Sequence, residues 1–241
     1  MSCRLAALVF DASDPHRLAA FWAGVLGRDV ETRSDPDLVT LLPRGPHDFP
    51  IDFAPTDAPR QGPNRTHFDL TSASPDDQQA IVERALSLGA SHLDIGQGPD
   101  AAHVVLADPD GNEFCVIPPD NQFLSNTAPI GALSGDGTQA VGYFWAAALN
   151  WPLVWDQDEE TAIQAPDGGT KFTWGGPPVE PKQGKNRLHF DVAPTDGASQ
   201  HSAVERLITL GARRIDVGQG DVPWVVMADP DENEFCVLAP R

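Results

Sequence analysis

Four side chains that can bind a metal or transfer a proton recur at the same spacing in both halves of the chain. The two sets are His67, Asp69, Glu113 and Cys115, and His189, Asp191, Glu234 and Cys236. Side chains two residues apart in a strand point to one face, so His67 shares a face with Asp69, and Glu113 with Cys115. If both faces line one cavity, that cavity holds an imidazole, two carboxylates and a thiol.

Such a set of side chains supports two kinds of chemistry. Imidazole and carboxylate ligands suit zinc, iron, nickel or manganese, and a thiolate ligand favours zinc. A histidine beside a carboxylate is equally an ordinary proton-transfer pair, which makes His67 and His189 the candidate catalytic bases. A purely structural interpretation also stands, in which Asp69 pairs with Arg65, Cys115 is a small buried apolar residue and His67 is a hydrogen-bonded core residue.

The chain is a duplication. Residues 64–70 (NRTHFDL) return as residues 186–192 (NRLHFDV), and residues 107–116 (ADPDGNEFCV) return as residues 228–237 (ADPDENEFCV). The period of about 120 residues is that of a whole domain and exceeds the roughly 20–50 residues of solenoid repeats. The seam lies in residues 118–127, which include two prolines and are mostly polar.

Each half is predicted to contain two βαβββ units. In the first half, the apolar run at residues 5–10 predicts a strand, and Asp14-Pro15 predicts a helix start, because Asp caps helices and Pro suits their first turn. A second helix is predicted after Ser74. Further strands are predicted at residues 38–42, 50–54, 67–71, 91–95, 103–107 and 113–117. The predicted fold class is α+β, with tandem domains at residues 1–119 and 127–241.

This order of elements, with N-R-x-H-F-D and D-P-x-x-N-E-F-C-V in each half, resembles the vicinal oxygen chelate superfamily. That superfamily includes the glyoxalase I, bleomycin-resistance and extradiol dioxygenase proteins, and the likeness is greatest to its tandem glyoxalase-like branch. The resemblance covers nearly the whole chain. It implies that the two βαβββ units of each domain curl into one sheet-lined cup, with up to four metal ligands on the first and last strands of the units.

Carried onto this chain, the metal positions of the superfamily fall on His67, Glu113, His189 and Glu234. The opening strands, at residues 5–8 and 129–132, offer no ligand. Asp52 could serve at the remaining position of the first half, whereas the matching residues 172–174 offer only a hydroxyl group. The ligand set that the resemblance implies is therefore incomplete in both halves, and a divalent metal (Zn, Mn, Fe or Ni) is the candidate cofactor.

Tryptophans distinguish the two halves. Four of them have no tryptophan counterpart in the first half: Trp151, Trp155, Trp174 and Trp224. Trp224 stands where the first half has His103, and Trp174 and Trp224 are predicted to lie either in a ligand pocket or at the interface between the halves. Trp22 and Trp145 lie on apolar helix faces and are predicted core residues. An aromatic-lined cup suits a flat ligand, because such rings bury a large area and stack.

Charge and hydropathy exclude several function classes. The 241 residues include 35 acidic and 16 basic side chains, a formal net charge of −19. Such a surface repels nucleic acid and anionic lipid, both of which need clustered Lys and Arg. The longest apolar stretches are too short for a membrane span or for the hydrophobic region of a secretory signal. Three cysteines without CxxC spacing suit a reducing compartment, so we expect a cytoplasmic protein.

These patterns favour a protein of the bleomycin-resistance kind, a monomer or homodimer that binds a small organic molecule, cyclic or aromatic, in a sheet-lined cup. One alternative is a metal-dependent lyase, isomerase or dioxygenase that uses His67, Glu113 and Asp52, with the metal polarising a vicinal oxygen pair on the substrate. The second alternative is a metal-free enzyme in which His67 or His189 is the acid–base group.

Overall fold

The computed structural model describes residues 2–32, 37–98, 100–195 and 197–240. Within these ranges the chain forms four βαβββ units, two in each half, as the sequence predicts. The units of the first half are β1 (Cys3–Ala12), α1 (Pro15–Leu26), β2 (Val30–Thr32), β3 (Val39–Leu41) and β4 (Ile51–Pro55), then β5 (Thr66–Leu70), α2 (Pro75–Ser87), β6 (Ser91–His92), β7 (Val104–Ala107) and β8 (Glu113–Val116).

The second half repeats this order with similar lengths. Its units are β9 (Ile130–Gly135), α3 (Gln139–Leu149), β10 (Leu153–Gln157), β11 (Glu160–Gln164) and β12 (Lys171–Trp174), then β13 (Leu188–Pro194), α4 (Gln200–Thr209), β14 (Arg213–Arg214), β15 (Val225–Ala228) and β16 (Glu234–Val237). Strand β2 was not predicted, because its three exposed residues show no apolar alternation. None of the helices in the described ranges is long and apolar enough to cross a membrane.

The residues predicted to begin the first two helices do cap them in the structure. Asp14 caps α1 by accepting a hydrogen bond from the N–H of Arg17, and Ser74 caps α2 in the same way through the N–H of Asp77. Each cap satisfies a backbone donor that the first helical turn leaves without a partner. Gly27, at φ 64°, ends α1 in the left-handed conformation that glycine adopts without strain.

The units pair across the two halves of the chain. Sheet A has the strand order β14-β15-β16-β13-β1-β4-β3-β2, and sheet B has the order β10-β11-β12-β9-β5-β8-β7-β6. Sheet A therefore joins the first unit of the chain to the last one, and sheet B joins the two middle units. At the joins, Val9 lies opposite His189 on antiparallel strands, and Ser134 lies opposite His67.

This pairing corrects the expectation that two units of the same half share one cup. The four units are similar repeats, so units of either half offer similar strand edges with the same unpaired backbone N–H and C=O groups. Exchanging partners between the halves satisfies those groups equally well, and the repeat pattern cannot distinguish the two arrangements. The domain boundaries at residues 1–119 and 127–241 stay a prediction.

Alternating side chains on the central strands separate the cups from the core. On β5 and β13, Phe68 and Phe190 point away from their neighbouring histidines into the apolar interior between the sheets. The ring of Phe68 lies 5.5 Å from that of Phe10 on β1, and Phe190 stacks at 5.0 Å on Phe172 of β12. The faces opposite the cups thus pack into one core that both sheets share.

Two buried tryptophans connect the first helix of each half to the last hairpin of the same half. Trp22 on α1 and Trp145 on α3 are 1% and 2% exposed, which confirms their prediction as core residues. Trp22 Nε1 donates to Asp108 at 3.2 Å, and Trp145 Nε1 donates to Asp229 at 3.1 Å. Since α1 belongs to the sheet A unit and Asp108 follows a strand of sheet B, each hydrogen bond joins the two layers.

The carboxyl groups of Asp108 and Asp229 make the stability of the fold depend on pH. Burial raises the pKa of each from 3.8 to about 6, against the opposing effect of hydrogen bonds from Asn112 and Asn233. The folded state therefore holds protons that the unfolded chain has released between about pH 4 and pH 6. Their contribution to the free energy of unfolding is present at acidic pH and is lost as the pH rises through about 6.

We predict that Asp108→Asn removes one of these contributions. Between pH 5 and pH 7, the contribution of one such carboxyl to the free energy of unfolding falls by about 1 kcal/mol, and the variant lacks this fall. Urea unfolding of both proteins at the two pH values measures the difference. Asp29→Asn, at an exposed position, is the control. Equal pH dependence of wild type and Asp108→Asn would contradict the prediction.

Candidate functional site

Each sheet holds a compact cluster of one histidine, one aspartate and one cysteine on its cup face. One cluster is His67, Asp69 and Cys115 on sheet B, and the other is His189, Asp191 and Cys236 on sheet A. In each cluster, one potential ligand atom per residue lies within 4.8 Å of the others. The aspartate and the cysteine are in register on neighbouring parallel strands, and the histidine precedes the aspartate by two residues.

The cup of sheet A, which we call cup A, holds its cluster mostly buried. The side chain of His189 is 10% exposed, and its Nε2 lies 3.7 Å from Asp191 Oδ1. Burial, and after it the charge of the nearby Lys185, lower the pKa of His189 to about 3, against the attraction of Glu234. Burial and the adjacent Asp191 raise the pKa of the Cys236 thiol. At neutral pH the imidazole is therefore neutral and the thiol keeps its proton, which it donates to Asp191.

The cup of sheet B, which we call cup B, holds the equivalent cluster in a more open setting. The side chain of His67 is 35% exposed, with Nε2 3.4 Å from Asp69 Oδ1. Asp69 Oδ2 accepts a hydrogen bond from Ser134 Oγ at 2.5 Å, and Thr173 Oγ1 donates to the same Ser134 oxygen at 3.3 Å. Burial and the negative charge of Asp69 raise the pKa of the Cys115 thiol to about 12. Hydroxyl groups from the second half thus support a cluster of the first half.

The structure shows the contacts of Arg65 and Cys115, the two residues for which the sequence also allowed a purely structural role. Arg65 does not pair with Asp69: its guanidinium donates to the backbone oxygen of Asp231 at 2.9 Å and lies 3.9 Å from Asp136. Cys115 is 7% exposed and donates its thiol proton to Asp69, so it is buried and also part of the polar cluster.

Glu113 lies apart from the cluster of cup B. Its carboxylate forms an ion pair with the guanidinium of Arg60, and its Oε2 accepts a hydrogen bond from the backbone N–H of Asn64 at 3.2 Å. Arg60 and Asn64 both belong to the segment that leads into β5. The carboxylate of Glu113 therefore holds this segment against β8. The resemblance had instead assigned this carboxylate to a metal.

Glu234 has the same role in cup A. Its carboxylate lies 2.7 Å from Lys182 Nζ and accepts from the backbone N–H of Asn186 at 3.2 Å. Sequence reasoning missed both cations. The signal for them was present, because residues 60–65 (RQGPNR) and residues 182–187 (KQGKNR) repeat a basic residue at the position that contacts each glutamate.

Cup A encloses a cavity of about 400 Å³ whose walls come from both halves of the chain. Val9 and Asp52 line it from the first half, and His189, Cys236 and Trp224 line it from the second half. Asp52 therefore lies in the same cup as His189, and the structure does not bring it to His67. Its Oδ1 accepts a hydrogen bond from Thr40 Oγ1 at 2.6 Å.

Trp174 and Trp224 lie in different cups. Trp224 is 38% exposed and lines the cavity of cup A. Trp174 is 6% exposed and lines a broader cavity of about 770 Å³ in cup B, together with His67. Two further aromatic residues line the cavity of cup B, Phe123 and Trp155, with ring centroids 6.0 Å apart. Phe123 comes from the seam between the repeats, where no strand or helix pattern points to a site.

The metal positions that the resemblance implies do not fit this structure. The two glutamates of that set are held by Arg60 and Lys182. The residues opposite the histidines on the adjoining opening strands are Val9 and Ser134, of which valine offers no ligand atom. Asp52, assigned with His67, faces the other cup.

Comparison with known proteins agrees with this architecture. A family model described as a glyoxalase-like domain matches residues 7–117 and again residues 133–238. The structure of glyoxalase I from Zea mays superposes with a TM-score of 0.64 at 16% identity, covering 99% of this chain and 92% of that one. A putative dioxygenase from Bacillus subtilis superposes with a TM-score of 0.62 at 15% identity, covering 99% and 86%.

At these identities the two structures show a shared fold alone. No curated protein shows a significant sequence match to the chain. The family model, by contrast, covers most of both halves, including all eight residues of the two sets that the sequence singled out. The chain therefore belongs to the glyoxalase-like domain family of the vicinal oxygen chelate superfamily, with two copies of the domain in tandem.

Proposed function

We propose that the protein binds a small organic molecule, cyclic or aromatic, in cup A. The observation that carries this proposal is the cavity of about 400 Å³, which has a half-exposed tryptophan in its wall and the His189 cluster within it. Its volume lies within the range of about 300–1,000 Å³ that small-molecule sites occupy.

The walls of the cavity are mainly apolar. Val9, Leu38, Val226 and Leu238 present aliphatic side chains, and Trp224 adds an indole ring that solvent reaches. A ring that stacks on the indole and contacts these aliphatic groups buries much of its apolar surface against the protein. Each Å² of apolar surface buried in this way contributes about 25 cal/mol to the free energy of binding. A flat or cyclic ligand matches this wall better than a flexible chain, which would lose more conformational entropy on binding.

The charged groups of cup A restrict the polar part of the ligand. Lys185 forms an ion pair with Asp11, and Lys182 neutralises Glu234, so these two carboxylates are compensated by the protein itself. Asp52 and Asp191 also line the cavity beside the neutral His189, as does the exposed Arg4. We infer that the ligand presents hydroxyl or amino groups on the side of the cavity where the carboxylates lie, because carboxylates accept hydrogen bonds and repel anions.

The same cluster favours binding over acid–base catalysis. A general base is effective when its pKa lies near the working pH. Burial holds the pKa of His189 at about 3, far below that range, so the imidazole accepts a hydrogen bond but removes protons poorly. This supports the proposal that the cup holds its ligand without transforming it by means of His189.

We predict that Trp224→His, which installs the residue of the other half, weakens binding in cup A about tenfold through loss of ring stacking. A panel of cyclic and aromatic metabolites is first screened against wild type by tryptophan fluorescence. The affinity of each hit is then measured by calorimetry for wild type and variant.

Trp155→His is the matched control, since Trp155 is a half-exposed tryptophan that lines the cavity of cup B. It should leave the affinity unchanged. An equal loss in both variants, or no hit in a broad panel, would contradict the proposal of an organic ligand in cup A.

A further inference from the structure

We propose that a basic pocket between the two halves of the chain binds a small oxyanion, a phosphate or a carboxylate. The pocket has a volume of about 320 Å³. It lies between two loops at equivalent positions of the repeat, residues 56–65 before β5 and residues 178–187 before β13. The residues of the two histidine, aspartate and cysteine clusters do not line it, so it is a site apart from both.

The charged groups of the pocket differ from the rest of this acidic chain. Four cationic side chains line it: Arg60, Arg65, Lys185 and Arg187. Three carboxylates line it as well: Asp11, Asp136 and Glu180. The net charge of the chain is −19, but charges more than about 8 Å away are largely screened at physiological ionic strength. The groups of the pocket itself therefore decide whether an anion binds there.

Two of the four cations have a carboxylate partner. Lys185 forms an ion pair with Asp11, and Arg60 forms one with Glu113. Burial, and after it the positive charge of Arg187, lower the pKa of Arg60. Two guanidinium groups thus repel each other at this pocket, and an anion bound beside them would relieve the repulsion.

The other two cations, Arg65 and Arg187, are the same residue of the repeat in each half. Arg187 donates to the backbone oxygens of Asp11 and Ala58 at 3.0 Å and 3.3 Å, and forms no ion pair within the described ranges. Arg65 lies 3.9 Å from Asp136, and its buried Nε has no hydrogen-bond partner among the described residues. A buried N–H group without an acceptor costs free energy, and an oxyanion in the pocket would supply one.

Guanidinium groups suit the proposed ligand. Their planar fork donates two parallel hydrogen bonds to a phosphate or a carboxylate. A guanidinium group has five N–H donors, and Arg187 uses two of them on backbone oxygens. The two backbone bonds hold this side chain in place, so little side-chain entropy is lost when the remaining donors bind an anion.

The carboxylates of the pocket limit the affinity without closing the site to anions. Lys185 neutralises Asp11, and Asp136 Oδ2 accepts a hydrogen bond from the backbone N–H of Glu180 at 2.9 Å. The side chain of Glu180 is exposed, so water screens its charge. We therefore expect a dissociation constant of about 1 mM for inorganic phosphate.

The pocket shares walls with both cups. Asp11 and Lys185 also line the cavity of cup A, and Arg65 and Asp136 also line that of cup B. A bound oxyanion would therefore contact residues of both cup walls without occupying either cavity.

Titration of the full-length protein with inorganic phosphate, followed by two-dimensional amide NMR at constant pH and ionic strength, tests the inference. We expect saturable shifts concentrated in residues 56–65 and 178–187, and none with sodium chloride. A parallel titration with acetate shows whether the site takes phosphate alone or carboxylates too. Absence of saturable shifts with both anions, or shifts confined to other parts of the chain, would overturn the proposal.

A matched pair of exposed side chains tests the position of the anion by charge. Glu180 and Gln183 both line the pocket and are exposed, so their substitution leaves the core intact. Glu180→Gln should bind phosphate about two- to fivefold more tightly, and Gln183→Glu should bind it more weakly by a similar factor. Asp29→Asn, at an exposed position away from the pocket, should leave the affinity unchanged. Equal affinities in all three variants would show that phosphate does not bind between the loops.

Arg187→Gln removes a proposed contact and should weaken phosphate binding at least about tenfold. Unchanged affinity in the folded variant would overturn the assignment of this guanidinium to the anion. Where the variant fails to fold, the pair at Glu180 and Gln183 still decides the question. These titrations contain no organic ligand of cup A, so their outcome is independent of the function proposed above.

Discussion

Residues 1–119, produced without the rest of the chain, are expected to form a homodimer with about the mass of the whole protein, 25.8 kDa. Each sheet of the protein joins one unit from each half, so an isolated half has two units and no partner for either. In the dimer, β1 of each copy pairs with β5 of the other. The duplicated chain would then build within one molecule what a single domain builds from two.

The backbone pairing of β1 and β5 is the physical reason for this expectation. Along β1, seven residue pairs from Cys3↔Pro194 to Phe10↔Leu188 join it to β13. On β5, five residue pairs join it to β9. Without these partners, the central strands of both sheets become open edges beside a core that is no longer covered. Unpaired buried N–H and C=O groups each cost about 1–3 kcal/mol, which a small half-domain does not tolerate.

Size-exclusion chromatography with light scattering measures the mass, and circular dichroism reports the strand content. Residues 127–241 serve as the matched fragment, and mixing it with residues 1–119 should produce a heterodimer that unfolds like the whole chain. A monomeric fragment 1–119 with cooperative unfolding would contradict the prediction, and would show that the two units of one half can close on each other.

Trp22→Ala is expected to lower the free energy of unfolding by about 4 kcal/mol, within the usual range for a buried tryptophan or phenylalanine. The indole is 1% exposed, and its ring packs against three others, those of Phe21, Phe68 and Phe114, at 5.0–5.2 Å. The substitution leaves a cavity between the sheets. It also leaves the buried carboxyl of Asp108 without its indole donor, which adds to the loss.

Urea unfolding monitored by circular dichroism measures this effect, and three variants separate its causes. Trp22→Phe keeps most of the packing and removes the hydrogen bond, for an expected loss of about 1–2 kcal/mol. Trp145→Ala should match Trp22→Ala, because its indole has the equivalent bond to Asp229. Trp155→Ala, at a half-exposed position, should cost below about 1 kcal/mol. A loss below about 2 kcal/mol for Trp22→Ala would show that the helix is not anchored through this residue.

Local patterns in the sequence predicted the building blocks of this protein. The repeat defined four βαβββ units, and the caps at Asp14 and Ser74 located two helix starts. Alternation along β5 and β13 placed each histidine on the same face as its aspartate, opposite a phenylalanine in the core. These features depend on residues within a few positions of one another, where backbone geometry alone sets the direction of each side chain.

The metal-ligand positions that the resemblance implies do not match this structure, for a physical reason. A glutamate at the start of a strand can reach a metal in the cup or a cation on a neighbouring loop, and only the position of that loop decides. Here Arg60 and Lys182 reach Glu113 and Glu234 from the segments before β5 and β13. The repeated basic residue was visible in the sequence, but its distance from the glutamate was not.

What the sequence by itself determined is the set of four units, most of the elements along each and the side chains that share a face. Which units form a cup was decided by the tertiary structure, because similar repeats offer open strand edges of the same kind and the chain pairs them across the halves. That choice places Asp52 with His189, Ser134 with His67, and the walls of each cup on both halves at once.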